Sequence, residues 1–274
     1  MPEGDSVYQL SKRLQWMAGR EVTRASIRVP RYATADFTSM TCERVWPYGK
    51  HLFMEFAALG HEPQILHTHL KMEGTWSMHR AGTRWTKPAH AARVVLSLAD
   101  APRPDIELVG FWLGLVRVFP ARDYEIEMGY LGPDLLAEDF DAEEAVARIE
   151  ARPDLEIGRA LLDQRNLAGI GNEYRAEVNF LAGTHPAQRV GNVDVEKHVL
   201  LARRLMWSNR NSPVRVTTGV KRAGETSYVF GRNKKPCRRC GTLIEKGFLG
   251  GQSDLERVIW WCPTCQPEPQ SWRA

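Results

Sequence analysis

The sequence predicts an α+β protein in several parts: a β-rich body behind one N-terminal helix, a helical segment, and a small cysteine-held hairpin at the C-terminus. Three observations predict it. Short apolar runs bounded by Pro, Gly or polar turns fill the chain from Glu21 to about Arg122, helical periodicity dominates Glu156–Asn209, and four of the five cysteines cluster between Cys237 and Cys265. A length of 274 residues suits one large domain or two ordinary ones with sizeable cores.

Taken in order, residues 5–18 read as a helix. Asp5 is the expected N-cap, Val7, Leu10, Leu14 and Met17 fall at helical spacing, and Gly19 ends it. EVTRASIRV then alternates, while KHLFMEF, QILHTHL, ARVVLSL and LGLVRVF read as short strands. So many strands within residues 1–122 predict a two-layer sandwich or a barrel. The acidic stretch 123–155, with the turn-like LGPDLL, reads as a linker. A helical domain follows over 156–225, carrying EIGRALLDQRNLAG, NEYRAEVNFLAG and VEKHVLLARRLMW, then the cysteine segment 226–266 and a loose tail 267–274.

Composition narrows the function classes. Hydrophobic content of 43% and charged content of 26% are those of a soluble globular chain. The sequence has no apolar run long enough to span a membrane and no basic-then-apolar N-terminus, so a cytoplasmic address is expected. The net charge of +4 is unevenly spread: Arg203–Arg239 holds eleven Lys or Arg against Glu225, whereas Ala137–Glu156 holds eight acids against Arg148 and Arg152. A basic block interleaved with Gly, Asn, Trp and Tyr suits a polyanion such as nucleic acid, the alternative being a solvated basic face.

The cysteines sort by position. Cys42, alone in a strand-like stretch, reads as a small buried side chain. Cys237-x2-Cys240 and Cys262-x2-Cys265, separated by twenty-one residues, form two knuckles able to complete a tetrahedral four-thiolate site, the geometry of one structural Zn2+. An iron–sulfur site or a redox dithiol pair would be the alternatives, and no redox signature accompanies these cysteines. The extra length falls in KGFLGGQSD and reads as a loop extension at the hairpin tip. Arg257, on the returning strand, is the natural side chain for such a platform to present to phosphate.

Other candidates are weaker by themselves. In LLDQRNLAGIGNEY, Gly169 and Gly171 punctuate a turn before a helix whose free N–H groups, with the Asn172 amide, could bind a phosphate. His67 and His69 share a strand face and are left unassigned. Trp16, Trp46 and Trp112 are expected to pack in cores. No Ser-His-Asp set, P-loop or dinucleotide fingerprint is present.

The N-terminus is the most informative stretch. Once Met1 is removed, Pro2 becomes a secondary amine, titrating near neutrality and lowered further by the helix beginning near Asp5. Such an amine can attack carbon and form an iminium, which is covalent Schiff-base catalysis. Glu3 is a carboxyl placed for acid–base work, and Gly4 is expected to allow a tight turn.

Pro2-Glu3-Gly4, GKHLFMEF with Lys50, HLKMEG with Met72, LDQRNLAGIGNEY with Asn172, and the four-cysteine finger with Arg257 together resemble the formamidopyrimidine-DNA glycosylase and endonuclease VIII family. The resemblance runs from residue 2 to Cys265 and is strongest to its actinobacterial endonuclease VIII-like branch. It implies an N-terminal β-sandwich flanked by helices, a helix–two-turn–helix domain and a zinc-finger β-hairpin, in a monomer that binds damaged DNA with the lesion nucleotide flipped out. It also implies the roles. Pro2 attacks C1′ and Glu3 protonates the sugar ring oxygen. Lys50 contacts phosphate and donates a proton in β-elimination, and Arg257 contacts phosphate and serves δ-elimination. Asn172 binds the DNA backbone, Met72 fills the gap left by the extruded base, and Cys237, Cys240, Cys262 and Cys265 hold zinc. The expected setting is the bacterial cytoplasm, associated with the nucleoid.

Two departures stand out. The family often carries a second acid where Ser6 stands here, so the role of that carboxylate is lost or moved. LVGFWLGLVRVF lacks the arginine–phenylalanine pattern of the purine-specific branch, which favours oxidised pyrimidines as substrates. The same chemistry on oxidised purines (8-oxoguanine or formamidopyrimidine) is the alternative. A catalytically silent damaged-DNA-binding protein is a third reading, against which the joint presence of Pro2, Glu3 and Lys50 argues.

Overall fold

A computed structural model describes residues 2–249 and 258–270. The chain forms two compact units. Met1–Pro2 and Ser6–Gly129 make the first, and Glu3–Asp5 with Tyr130–Ala274 make the second.

In the first unit, helix α1 (Gly4–Leu14) is followed by a 3₁₀ turn and eight strands: β1 (Val22–Ile27), β2 (Thr41–Tyr48), β3 (His51–Ala57), β4 (Gln64–His69), β5 (Thr75–Arg80), β6 (Ala92–Leu98), β7 (Ile106–Phe111) and β8 (Leu115–Pro120). They pair antiparallel into two four-stranded sheets, ordered β1-β6-β7-β5 and β2-β3-β4-β8. The sheets form a sandwich over one core, to which β3 gives Leu52, Met54 and Phe56 and β6 gives Val94, Leu96 and Leu98. Val7, Leu10 and Leu14, the predicted helical stripe, are buried against it. The apolar runs of β3 and β6 are unbroken because both faces are covered. Phe53 stacks with Trp46 and His67 on the second face of its sheet, and Val95 joins Val109 and Phe111 on that of the other.

Two expectations are corrected here. Asp5 is not a cap outside the helix but lies in its first turn. Trp112 is not a core residue: it follows β7 in the left-handed region (φ 46°), 37% exposed, with the Lys87 ammonium 4.7 Å from its ring centroid. Cys42 is fully buried, and burial pushes its thiol up to about 12, the state of an inert packing side chain.

The segment 123–155 carries helix α2 (Tyr124–Met128), in the first unit, and α3 (Ala142–Glu150), in the second. The second unit continues with α4 (Ile157–Ala160), α5 (Asn172–Ala182), α6 (Val195–Asn209) and an antiparallel pair, β9 (Glu245–Phe248) with β10 (Val258–Trp261). Helix α5 ends on Gly183 at φ 76°, a left-handed cap that a side chain would strain. Its Ala176 and Phe180 pack with Val229, Ile244, Cys237 and Cys262, so the cysteine segment is rooted in the helical body. Among the described residues no helix is long and apolar enough to cross a membrane.

Candidate active site

The first turn of α5 is built around the segment Glu3–Asp5. Gly171 precedes the helix and supplies no side-chain cap. Glu3 fills that role instead: its Oε2 accepts from the Gly171 N–H at 2.6 Å and its Oε1 from the Glu173 N–H at 2.9 Å. Glu3 is 1% exposed. Two charge-assisted hydrogen bonds and the positive end of a helix favour the carboxylate over the acid, offsetting the cost of burial. The Gly4 N–H donates to the Gly169 carbonyl at 2.9 Å, and a Cβ on Gly4 would lie 3.1 Å from the Gly169 Cα. Close approach rather than a tight turn favours glycine here, since the Gly4 φ is not positive.

Asp5 carries a second buried carboxylate. Its oxygens accept from Nε and Nη2 of Arg215 at 2.8 and 2.6 Å, a two-pronged pair, and from the Tyr174 hydroxyl at 2.9 Å. Arg215 also donates from Nη1 to Glu173 at 2.6 Å, lies 3.7 Å from Glu3, and covers the Tyr174 ring at 4.7 Å. Burial works against the Arg215 charge, but Glu3, Asp5 and Glu173 outweigh it and raise its pKa. Burial and the Asp5 charge raise that of Tyr174. In the sequence Arg215 counts only as one more cation of a basic block, and nothing there singles it out.

This arrangement corrects one part of the glycine-turn reading, that the first N–H groups of the helix are free for a phosphate. The Gly171 and Glu173 N–H groups are taken by the chain's own carboxylate. Asn172 is 9% exposed, and its side-chain carbonyl accepts from the buried Arg175.

In the first unit, Pro2 is partly exposed. Lys50 stands at the tip of the β2–β3 hairpin, where Gly49 takes φ 53° and Tyr48 pairs with His51. Met72 lies in the turn closing β4, held by the Gly74 N–H on the Leu70 carbonyl at 2.9 Å, and is 65% exposed. Because His51 pairs with His69, the topology brings Lys50 and Met72 to one end of the β2-β3-β4-β8 sheet. The Gly114 N–H donates to the His69 carbonyl at 3.1 Å, so the turn bearing Trp112 reaches the same end.

The histidines form a cluster of three. His51 Nδ1 and His67 Nε2 share a 2.7 Å hydrogen bond, and His51 and His69 meet edge to face at 4.9 Å. Burial, helped by the Lys71 and Lys50 charges, lowers His51 to about 4. Burial and neighbouring His51 lower His67 to about 2 and His69 to about 3.

The sulfurs of Cys237, Cys240, Cys262 and Cys265 lie within 4.8 Å of one another. The Cys240–Cys262, Cys240–Cys265 and Cys237–Cys265 separations are 3.4, 3.6 and 4.0 Å. Tetrahedral bonds of about 2.3 Å to zinc place sulfurs about 3.8 Å apart, so the four residues fit a metal ion. None is paired in a disulfide. The knuckles are braced by the Cys237 N–H on the Thr242 carbonyl and the Cys262 N–H on the Gln266 side chain, at 2.8 and 3.0 Å. Glu177, which no sequence signal marks, is fully buried and accepts from the Tyr228, Val229 and Phe230 N–H groups at 2.7, 2.8 and 2.9 Å and from the Thr217 hydroxyl. Arg257 and most of the KGFLGGQSD stretch lie outside the described residues.

Comparison with known proteins follows the same lines. The profile described as "Formamidopyrimidine-DNA glycosylase N-terminal domain" matches residues 1–107, and "Formamidopyrimidine-DNA glycosylase H2TH domain" matches 131–208. "Probable endonuclease 8 2" of Streptomyces coelicolor is 43% identical, over 98% of this chain and 95% of its own length. "DNA-(apurinic or apyrimidinic site) lyase Nei2" of Mycolicibacterium smegmatis is 41% identical, over 97% of this chain and 99% of its own. A solved complex of Lactococcus lactis Fpg (MutM) with DNA containing N7-benzyl-Fapy-dG shares the fold at a TM-score of 0.76 and 22% identity, over 97% of this chain and 100% of that one.

Proposed function

This chain belongs to the formamidopyrimidine-DNA glycosylase family, and from that premise we propose that it is a bifunctional DNA glycosylase and AP lyase of base excision repair, acting through Pro2. The observation that carries the reading is the seat of Glu3, a buried carboxylate bonded to the first N–H groups of α5 and covalently next to Pro2. With Met1 removed, the neutral Pro2 amine attacks C1′ of the flipped nucleotide and the glycosidic electrons leave with the base. The Glu3 carboxylate takes the proton that the new ammonium sheds and passes it to the ring oxygen as the C1′–O4′ bond opens to the iminium. Lys50 contacts phosphate and assists β-elimination at C2′, and Arg257 serves δ-elimination.

Asn172 binds the DNA backbone and exposed Met72 enters the gap in the stack. One structural Zn2+ on Cys237, Cys240, Cys262 and Cys265 rigidifies the finger. The protein works as a cytoplasmic, nucleoid-associated monomer. Oxidised pyrimidines are the substrates: the segment 108–119 lacks the arginine–phenylalanine pattern, and relatives named endonuclease 8 reach 43% identity against 33% for the formamidopyrimidine-DNA glycosylase of Gloeobacter violaceus.

The test is reductive trapping. Duplexes carrying 5-hydroxyuracil, 8-oxoguanine or an abasic site are incubated with the protein and borohydride, which reduces an iminium to a stable crosslink. Crosslinking to the abasic and 5-hydroxyuracil duplexes, lost in Pro2→Gly while DNA binding persists, is the expected result. No crosslink with any duplex refutes the Schiff base, and preference for 8-oxoguanine reassigns the substrate.

A further inference from the structure

Arg215 gathers the acidic side chains around the first turn of α5. Three carboxylates surround it: Asp5 through both oxygens, Glu173 at 2.6 Å and Glu3 at 3.7 Å. Two of these belong to the Glu3–Asp5 segment and the third to the first turn of α5, whose N–H groups hold Glu3. The Glu3–Asp5 segment is thus held by the Glu3 carboxylate on α5, the Gly4 N–H on Gly169, and the Asp5 carboxylate on Arg215 and the Tyr174 hydroxyl. Of the groups that hold it, Arg215 is the one that brings a positive charge.

We propose that Arg215 is a positioning residue for the reaction, locking the Glu3–Asp5 segment in register with α5 and so fixing where the Glu3 carboxylate is held. Two physical effects act together. The fork on Asp5 fixes the peptide two residues after Glu3 in both distance and plane, as a point charge could not. The guanidinium also offsets the mutual repulsion of two buried carboxylates and the half-buried Glu173, which would otherwise push one another away. Misplacement of a reacting group by about 1 Å costs on the order of a hundredfold in rate, so the device acts on the chemical step rather than on DNA affinity.

The inference rests on the function proposed above, and its test separates the two. Single-turnover borohydride trapping on an abasic-site duplex, at saturating enzyme, is measured for wild type, Arg215→Met, Arg215→Lys, Asp5→Asn and the Asp5→Asn/Arg215→Met double variant, with duplex affinity by fluorescence anisotropy. Arg215→Met is expected to trap roughly 30- to 100-fold more slowly, with affinity within about threefold of wild type. Arg215→Lys, which keeps the charge and loses the fork, falls between the two. The double variant is no slower than Arg215→Met, because both changes break one link. Should Arg215→Met fail to fold, Asp5→Asn, slowed about tenfold with affinity kept, tests the same link. Trapping within twofold of wild type, penalties that multiply in the double variant, or trapping and affinity that fall in parallel would each overturn the positioning role alone. A wild type that traps no abasic DNA overturns the proposed function and this inference with it.

Discussion

Glu3 and Gly171 are fitted to each other. The Gly171 N–H donates to the Glu3 carboxylate at 2.6 Å, and a Cβ on Gly171 would stand 2.5 Å from the Glu3 Cδ. Gly171→Ala must therefore move the carboxylate, whatever else relaxes. We expect iminium trapping to fall by about a hundredfold and stability by about 1–3 kcal/mol. Trapping kinetics and urea denaturation of the same variant check both, and wild-type trapping would show that Glu3 need not sit where it does.

Glu177 ties the chain leading to the finger to α5. It accepts three backbone N–H groups and one hydroxyl while fully buried. Glu177→Ala leaves those donors unsatisfied and should destabilise the second unit by about 3–5 kcal/mol. Glu177→Gln, which keeps the shape and loses the charge, should cost less. Denaturant midpoints of the two variants decide the order.

The three clustered histidines make stability depend on pH. His51, His67 and His69 are lowered to about 4, 2 and 3, so between these values and the ordinary 6.5 the unfolded chain binds protons that the folded chain refuses. Stability is full above about pH 6.5 and is lost as pH falls below it, by up to about 1.4 kcal/mol per pH unit for each histidine. Denaturation between pH 7.5 and pH 5 should show this slope, and His67→Phe should flatten it. A slope unchanged by that substitution would place the acid sensitivity elsewhere.

Metal removal should unfold the finger. Cys237 and Cys262 are part of the core shared with Ala176 and Phe180, so loss of the ion loosens the side of α5 that packs on them. Chelation, or Cys262→Ser, is expected to lower the melting temperature and weaken duplex binding. Binding unchanged by either would refute the finger as a DNA-contacting platform.

The strands, the α1 stripe and the four cysteines are legible in the sequence because each follows from periodicity or spacing: Val7, Leu10 and Leu14 are buried as their spacing requires, and the sulfurs converge as two knuckles require. Pro2 and Glu3 stand out in the sequence through their chemistry, and the structure seats the Glu3 carboxylate on the first N–H groups of α5. Arg215, Glu177 and the His51–His67 pair are not legible there, because their meaning lies in partners 16 to 210 residues away, and a buried arginine looks in sequence like any solvated one. Trp112 misleads for the opposite reason. Its strand-like neighbours suggest a core, but the chain turns through a left-handed residue there and leaves the ring facing outward.

Because Glu3–Asp5 cluster with residues after Tyr130, the second half of this protein has no clean excision point. A fragment beginning at residue 130 would leave the first N–H groups of α5 without the Glu3 carboxylate and Arg215 with one of its three carboxylates, Glu173. Its missing piece is a few residues long, short enough to be added back as a synthetic peptide. Recombination between homologues meets the same constraint, since exchanging the N-terminal half also exchanges the acid that Arg215 requires.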